Sequence, residues 1–187
     1  MSTLVHSSEL LTVEEYLAGE LRADSKHEYL GGVIYAMAGA SEEHNVIAAN
    51  LIGLLHSQLR GKSCQPFGSD MKVRLRTFGD TYFYYPDAMV ACDPSDSGHP
   101  WRERPSILFE ILSEETRRID EREKRFAYFQ ILSLQAYVRV EQGAPEIVVE
   151  RRGTGEWEYQ KLSGLEAVLE LPGLVIPLAA LYERISF

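Results

Sequence analysis

Three acidic residues stand in stretches of sequence where solvation is poor. Asp87 follows Pro86 in an apolar run between Tyr85 and Met89. Glu110 lies within Ile107-Leu-Phe-Glu-Ile-Leu, the most hydrophobic segment of the chain, and Asp70 precedes an alternating segment with Lys72 close by. A buried carboxylate without a partner is expensive and either changes its pKa or finds a cation. Two carboxylates on adjacent central strands repel each other unless a cation lies between them, and oxygen ligands suit Mg²⁺ or Mn²⁺. Lys124 begins the helix expected after the Glu110 segment, which lets its ammonium return to the same sheet end. Two acids and a lysine around an oxygen-ligated metal is an arrangement suited to phosphodiester hydrolysis. Each residue alone also has a plainer reading. A lone strand acid more often faces an edge or pairs with an arginine, and Lys124 sits among Arg117, Arg118, Arg122 and Arg125, which together read as a solvated charged face.

The elements that must position these groups are legible in the spacing. Thr12 with Glu15 three residues on forms a capping box that opens a short helix. Glu28 to Gly39 predicts two short strands around a Gly31-Gly32 turn. Ser41 caps a second helix whose apolar residues Val46, Ile47, Leu51, Leu54, Leu55 and Leu59 recur at helical spacing until Gly61, with His44 in its first turn. Met71 to Arg76 alternates as a half-buried strand does, and Tyr82 to Cys92 reads as one more apolar strand. Ser106 to Ser113 is apolar on both faces and predicts a central strand. A helix over about Asp120 to Leu132 is expected, with Asp120 as N-cap, Glu123 reciprocal to it, and Phe126, Phe129 and Leu132 facing the core. A strand from Ala136, a hairpin across Gly153-Thr-Gly, and a short helix near Leu178 to Tyr182 complete the chain. This order predicts a mixed α/β (α+β) fold in one layered domain, a mixed central sheet flanked by helices.

Composition sets the outer limits. The chain has 187 residues, 45% hydrophobic and 25% charged, enough for a core without staples and unlike a disordered or disulfide-scaffold protein. No apolar run approaches the ~20 residues of a membrane helix, and the first residues lack a signal-peptide pattern. Cys64 and Cys92 are widely spaced and read as buried thiols in a reducing cytoplasm rather than as a bridge. A net charge of −9, from 19 basic and 28 acidic residues, argues against sequence-blind nucleic-acid binding by bulk charge, although a local basic groove is compatible with it. Lys72, Arg74, Arg76, Arg117, Arg118, Arg122 and Arg125 are the candidates for such a path. Phosphate-loop, dinucleotide-binding and nucleophile-elbow motifs are missing, and the five histidines are too scattered for a zinc site. The aromatic run Tyr82 to Tyr85 is suited to stacking bases, but a sheet core is the better reading.

The segments Tyr85-Pro-Asp87, Phe109-Glu110-Ile-Leu-Ser113 and Asp120-x-x-x-Lys124-x-x-x-Tyr128 resemble the Uma2 (DUF820) family, of the PD-(D/E)XK restriction-endonuclease-like superfamily. The similarity extends to Gly32-Val-Ile-Tyr, Gly39-Ala-Ser-x-x-His44-Asn, Ser69-Asp-Met-Lys-Val and Leu169-Glu-Leu-Pro, and so covers about Leu11 to Tyr182. The resemblance implies one endonuclease-like domain over 1–187 and a Mg²⁺- or Mn²⁺-dependent endonuclease acting on nucleic acid, with DNA the favoured substrate. It implies Asp87 and Glu110 as metal-binding acids, the main-chain carbonyl of Ile111 as a third ligand, and Lys124 as the catalytic lysine. Position 112 is Leu rather than lysine, so the lysine is displaced onto the following helix. His44, Asp70 and Glu28 fall on family-typical positions as auxiliary groups, each with a structural alternative: a cap or core histidine, an anchor for Lys72, a strand-turn acid. A non-catalytic nucleic-acid- or protein-binding module with the same fold is the competing reading. A homodimer is expected by analogy with enzymes that cut both strands of duplex DNA. The apolar segment Leu171 to Phe187 would supply its interface or else close the core.

Overall fold

A computed structural model describes residues 10–37, 39–77, 79–113 and 123–187. Helix α1 (Val13–Glu20) starts with the expected box: Thr12 accepts the Glu15 N–H, and the Glu15 carboxylate accepts the Thr12 N–H. A hairpin follows, β1 (His27–Leu30) and β2 (Val33–Ala36), turning through Gly31 and Gly32 at φ of 57° and 101°, a conformation that favours glycine. Helix α2 (Glu42–Leu59) is capped by the Ser41 hydroxyl and buries Ile47, Leu51, Leu55 and Leu59, one side chain per turn.

Eleven strands and a helical turn occupy most of the remaining described residues. They are β3 (Gln65–Gly68), β4 (Lys72–Thr77), β5 (Asp80–Tyr84), β6 (Ala88–Ala91), β7 (Trp101–Arg102), β8 (Pro105–Leu112), helix α3 (Arg125–Tyr128), β9 (Ala136–Glu141), β10 (Glu146–Arg152), β11 (Trp157–Ser163), β12 (Val168–Leu171) and β13 (Leu174–Pro177). The short helix α4 (Leu178–Leu181) follows. One sheet has the order β2-β1-β5-β4-β7, the second β11-β10-β9-β8-β6-β3, and β12-β13 is a separate ribbon. The mixed α+β class expected from the sequence is present, but the strands divide between two main sheets.

That division corrects one reading. Tyr82 to Cys92 is not one strand: Pro86, which has no N–H to give a ladder, separates β5 in the first sheet from β6 in the second. Strand β8 is the centre of the second sheet, with all eight residues buried, as a doubly apolar segment should be. Its odd-numbered residues Ile107, Phe109 and Ile111 pack toward α2, whereas Leu108 joins Met89, Tyr84, Tyr128 and Tyr137 on the other face. Burying side chains of this size stabilises the fold by about 1.5–3 kcal/mol each.

Three further expectations are revised. Among the described residues helix α3 ends at Tyr128 rather than Leu132; within it Ala127 and Tyr128 turn inward and Phe126 outward, and beyond it Leu132 is exposed and Phe129 is half-buried against Trp157. Asp120 lies outside the described residues. Leu171, Leu174, Ile176, Leu178 and Leu181 close the core over α2, so the C-terminal apolar segment is occupied internally. Cys64 and Cys92 are joined as a disulfide, because the β3–β6 register Gln65↔Ala91 brings the flanking Cys64 and Cys92 face to face with Cα atoms 3.9 Å apart. The aromatic run is core: Phe83, Tyr84 and Tyr85 are all buried.

Candidate functional site

The two sheets meet where the chain passes from β5 to β6, and the candidate residues collect at that corner. The register Ala88↔Phe109, carried one residue further, sets Asp87 opposite Glu110, and directly opposed residues share a sheet face. Asp87 is fixed from two sides. Its Oδ2 accepts the main-chain N–H of Ile111 at 2.7 Å, and Nε2 of His44, from the first turn of α2, lies 3.2 Å from Oδ1. The N–H and C=O of one residue in an extended strand point to the same side, so the Ile111 carbonyl faces the same edge as Asp87.

Glu110 is 3% exposed, and its Oε1 accepts the hydroxyl of Tyr128 at 2.8 Å. Lys124 reaches the same oxygen at 3.4 Å and Glu28 Oε1 at 3.0 Å, so one buried ammonium bridges two carboxylates from different sheets. Glu28 arrives through β1, where the register Tyr29↔Phe83 puts it beside Tyr84, and its Oε1 also accepts the Tyr85 N–H at 3.3 Å. Burial, reinforced by the Glu110 charge, holds the Tyr128 hydroxyl far above its ordinary pKa, so it acts only as a donor. Tyr84 is raised in the same way, chiefly by burial, and donates to Glu123 at 3.4 Å. Burial also raises the Glu123 carboxyl, which the Tyr84 bond partly offsets.

Among the described residues the corner is acid-rich: Glu28 and Glu110 share the Lys124 ammonium, and Asp87 lies beside His44. Arg139 stands across the strand pair from Glu110 but is bound to Glu150 at 3.1 Å, and Arg125 grips the same Glu150. Among the described residues no group of three or more His, Cys, Asp or Glu side chains is gathered closely enough to hold a metal ion by itself. Asp87, Glu110 and the Ile111 carbonyl are all oxygen donors, a chemistry that suits Mg²⁺ or Mn²⁺ better than zinc.

Residues 13–179 match the family model Uma2, whose description reads "Putative restriction endonuclease". The chain belongs to the Uma2 family. Two relatives from Synechocystis sp. strain PCC 6803 are similar along nearly their whole lengths, both named as uncharacterized proteins. The protein slr1290 is 34% identical over 182 residues, covering 95% of this chain and 94% of its own. The protein sll1609 is 31% identical over 171 residues, covering 89% and 96%. A crystal structure from Anabaena variabilis, described as "a putative nuclease belonging to DUF820", shares the fold with a TM-score of 0.69 at 17% identity, over 92% of this chain and 97% of that one.

In this Uma2 protein, then, Glu28, His44, Asp87, Glu110, Ile111 and Lys124 come together, whereas Asp70 does not. Asp70 pairs with Lys26 at 2.9 Å and its side chain is 95% exposed; it neither joins the acidic corner nor anchors Lys72. The basic path is also different from expectation. Lys72 and Arg74 lie on the face of the first sheet that α1 covers, and Arg74 pairs with Glu103 at 3.3 Å. Arg76 is exposed, and Arg117, Arg118 and Arg122 lie outside the described residues. Sequence reasoning gave Tyr128 no role, although its position four residues after Lys124 puts both on one helix face, and that spacing was the available signal.

Proposed function

We propose that this protein is a divalent-metal-dependent endonuclease that hydrolyses phosphodiester bonds of nucleic acid, with DNA as its substrate. The observation that carries the reading is the bridge from Lys124 to Glu28 and Glu110 beside Asp87, a lysine held among acids at a sheet corner. Asp87, Glu110 and the Ile111 carbonyl are the groups that would hold Mg²⁺ or Mn²⁺. When bound, such an ion polarises phosphoryl oxygens and lowers the pKa of a bound water. The protein's own part is positional. Tyr128 holds one oxygen of Glu110, Ile111 N–H and His44 orient Asp87, and Lys124 presents its ammonium to the charge that develops on the phosphate. Cutting both strands of a duplex needs two such sites, so a homodimer belongs to the proposal, with sedimentation as its readout.

A second reading, a binding module without catalysis, is favoured by the engagement of Arg74, Arg125 and Arg139 with acids rather than with open solvent. Incubation with supercoiled plasmid, single-stranded DNA and RNA in Mg²⁺ or Mn²⁺ separates the two. Nicking that stops with a chelator supports the endonuclease; nucleic-acid binding that is indifferent to metal and never followed by cleavage supports the module.

A further inference from the structure

The face of the first sheet that looks away from the acidic corner carries a second, unassigned site. The registers Val73↔Tyr84 and Lys72↔Trp101 align Tyr85, Lys72 and Trp101 in one row across β5, β4 and β7. Together with Leu17 and Leu21 of the α1 region they line a cavity of about 420 Å³, within the range of small-molecule sites. Lys72 is 7% exposed, and its ammonium lies 5.0 Å from the centre of the Tyr85 ring. Among the described residues no acceptor lies within hydrogen-bonding or ion-pairing distance of that ammonium. Its lowered pKa, caused by burial and only partly offset by Glu20, agrees with an ammonium that lacks its counter-ion. A lysine buried to this degree is rare without a partner.

The neighbouring carboxylates do not fill that role. Glu20 accepts the Tyr85 hydroxyl at 2.9 Å and the His27 N–H at 2.9 Å, while Asp70 is bound to Lys26. Lys26 in turn donates to the Ser69 carbonyl as well as to Asp70, so Lys72 is the cation with capacity left. Glu20, Asp24 and Asp70 on the walls disfavour a dianion such as a phosphate ester, and the walls contributed by Leu17, Leu21, Pro100 and Trp101 favour an apolar body.

We propose that this cavity binds a small organic monocarboxylate, its carboxylate paired with Lys72 and its apolar body against Leu17, Leu21 and Trp101. The site is independent of the nuclease reading, and binding rather than cleavage is its readout. The chain has two tryptophans, and Trp157 is stacked on Phe129 outside the cavity, which supplies an internal control. Benzoate titrated into the full chain should move the Trp101 indole N–H resonance saturably, at about 1 mM, and leave Trp157 unchanged. Benzamide and inorganic phosphate should move neither. Lys72→Met should abolish the response. Leu21→Glu, at an exposed rim position that does not test folding, should weaken it about ten-fold. An unmoved Trp101 resonance, a response to phosphate in place of benzoate, or unchanged benzoate affinity in folded Lys72→Met or in Leu21→Glu would each overturn the proposal.

Discussion

The carboxylate of Asp87 accepts the main-chain N–H of Ile111 at 2.7 Å, and this bond ties the acid of the β5–β6 crossing to the strand that carries Glu110. It makes Asp87 both a structural clamp and a candidate ligand, and the two roles are separable by substitution. Asp87→Asn keeps an oxygen acceptor for Ile111 and removes the charge. The wild type should gain Tm on addition of Mn²⁺, and the variant should melt within about 1 kcal/mol of the wild type without metal yet show no such gain. Asp87→Ala should lose an additional ~1–3 kcal/mol, because the Ile111 N–H is left without its partner. Thermal unfolding of the three proteins with and without Mn²⁺ checks both statements.

Lys124 neutralises two buried acids at once, so its removal should be felt in stability before activity is considered. Lys124→Met leaves Glu28 and Glu110 buried without their shared cation and should destabilise the protein by about 3–5 kcal/mol in urea unfolding. A loss below about 1 kcal/mol would mean that solvent reaches the pair and that the ion bridge is weak.

The alkaline limb of stability is set by tyrosines. Tyr16, Tyr84, Tyr85, Tyr128 and Tyr182 all have hydroxyls raised above the ordinary value of 10.0, in every case chiefly by burial. The unfolded chain therefore releases their protons at about pH 10 while the folded chain keeps them, so stability is complete below that pH and falls as pH rises above it. Tyrosinate absorbance should appear for these residues together with the loss of tertiary structure, not before it. Full ionisation within a folded protein would contradict their burial.

The disulfide between Cys64 and Cys92 closes a loop with a sequence separation of 28. In the chain-entropy account a loop of that length contributes about 3–4 kcal/mol, and reduction should lower stability by that order. The unreduced chain should also be lighter than the reduced chain by two hydrogens. Equal masses would return the cysteines to the thiol state that their spacing suggested.

Glu110 stood out in the sequence as an acid inside a doubly apolar strand, and Asp87 as an acid after Pro86 in an apolar run; the structure buries Glu110 against Tyr128 and Lys124 and sets Asp87 opposite it across the β6–β8 register. The helix caps at Thr12 and Ser41 were legible for a local reason, since each rests on residues within one turn. Glu28 was visible only as a family-like acid. Its approach to Lys124 spans 96 positions and depends on how two sheets meet, which no local period encodes. The reading of Tyr82 to Cys92 as one strand failed because both halves are apolar and only Pro86 marks the change of sheet. Phe126 and Leu132 looked like core at helical spacing, but α3 turns Ala127 and Tyr128 inward instead of Phe126, and it ends at Tyr128, before Leu132. Asp70 and Lys72 are near neighbours in sequence, yet one is solvated and the other is buried beneath α1.

The most direct test of the account is cleavage of supercoiled plasmid in Mg²⁺ or Mn²⁺ by the wild type beside Asp87→Asn and Lys124→Met, each shown to be folded under the assay conditions. The account predicts metal-dependent nicking by the wild type and a loss of about 100-fold or more in either variant, equivalent to at least ~2.7 kcal/mol of transition-state stabilisation. Nicking by Asp87→Asn at the wild-type rate would contradict it, because the acid that bonds Ile111 would then be a clamp and nothing more.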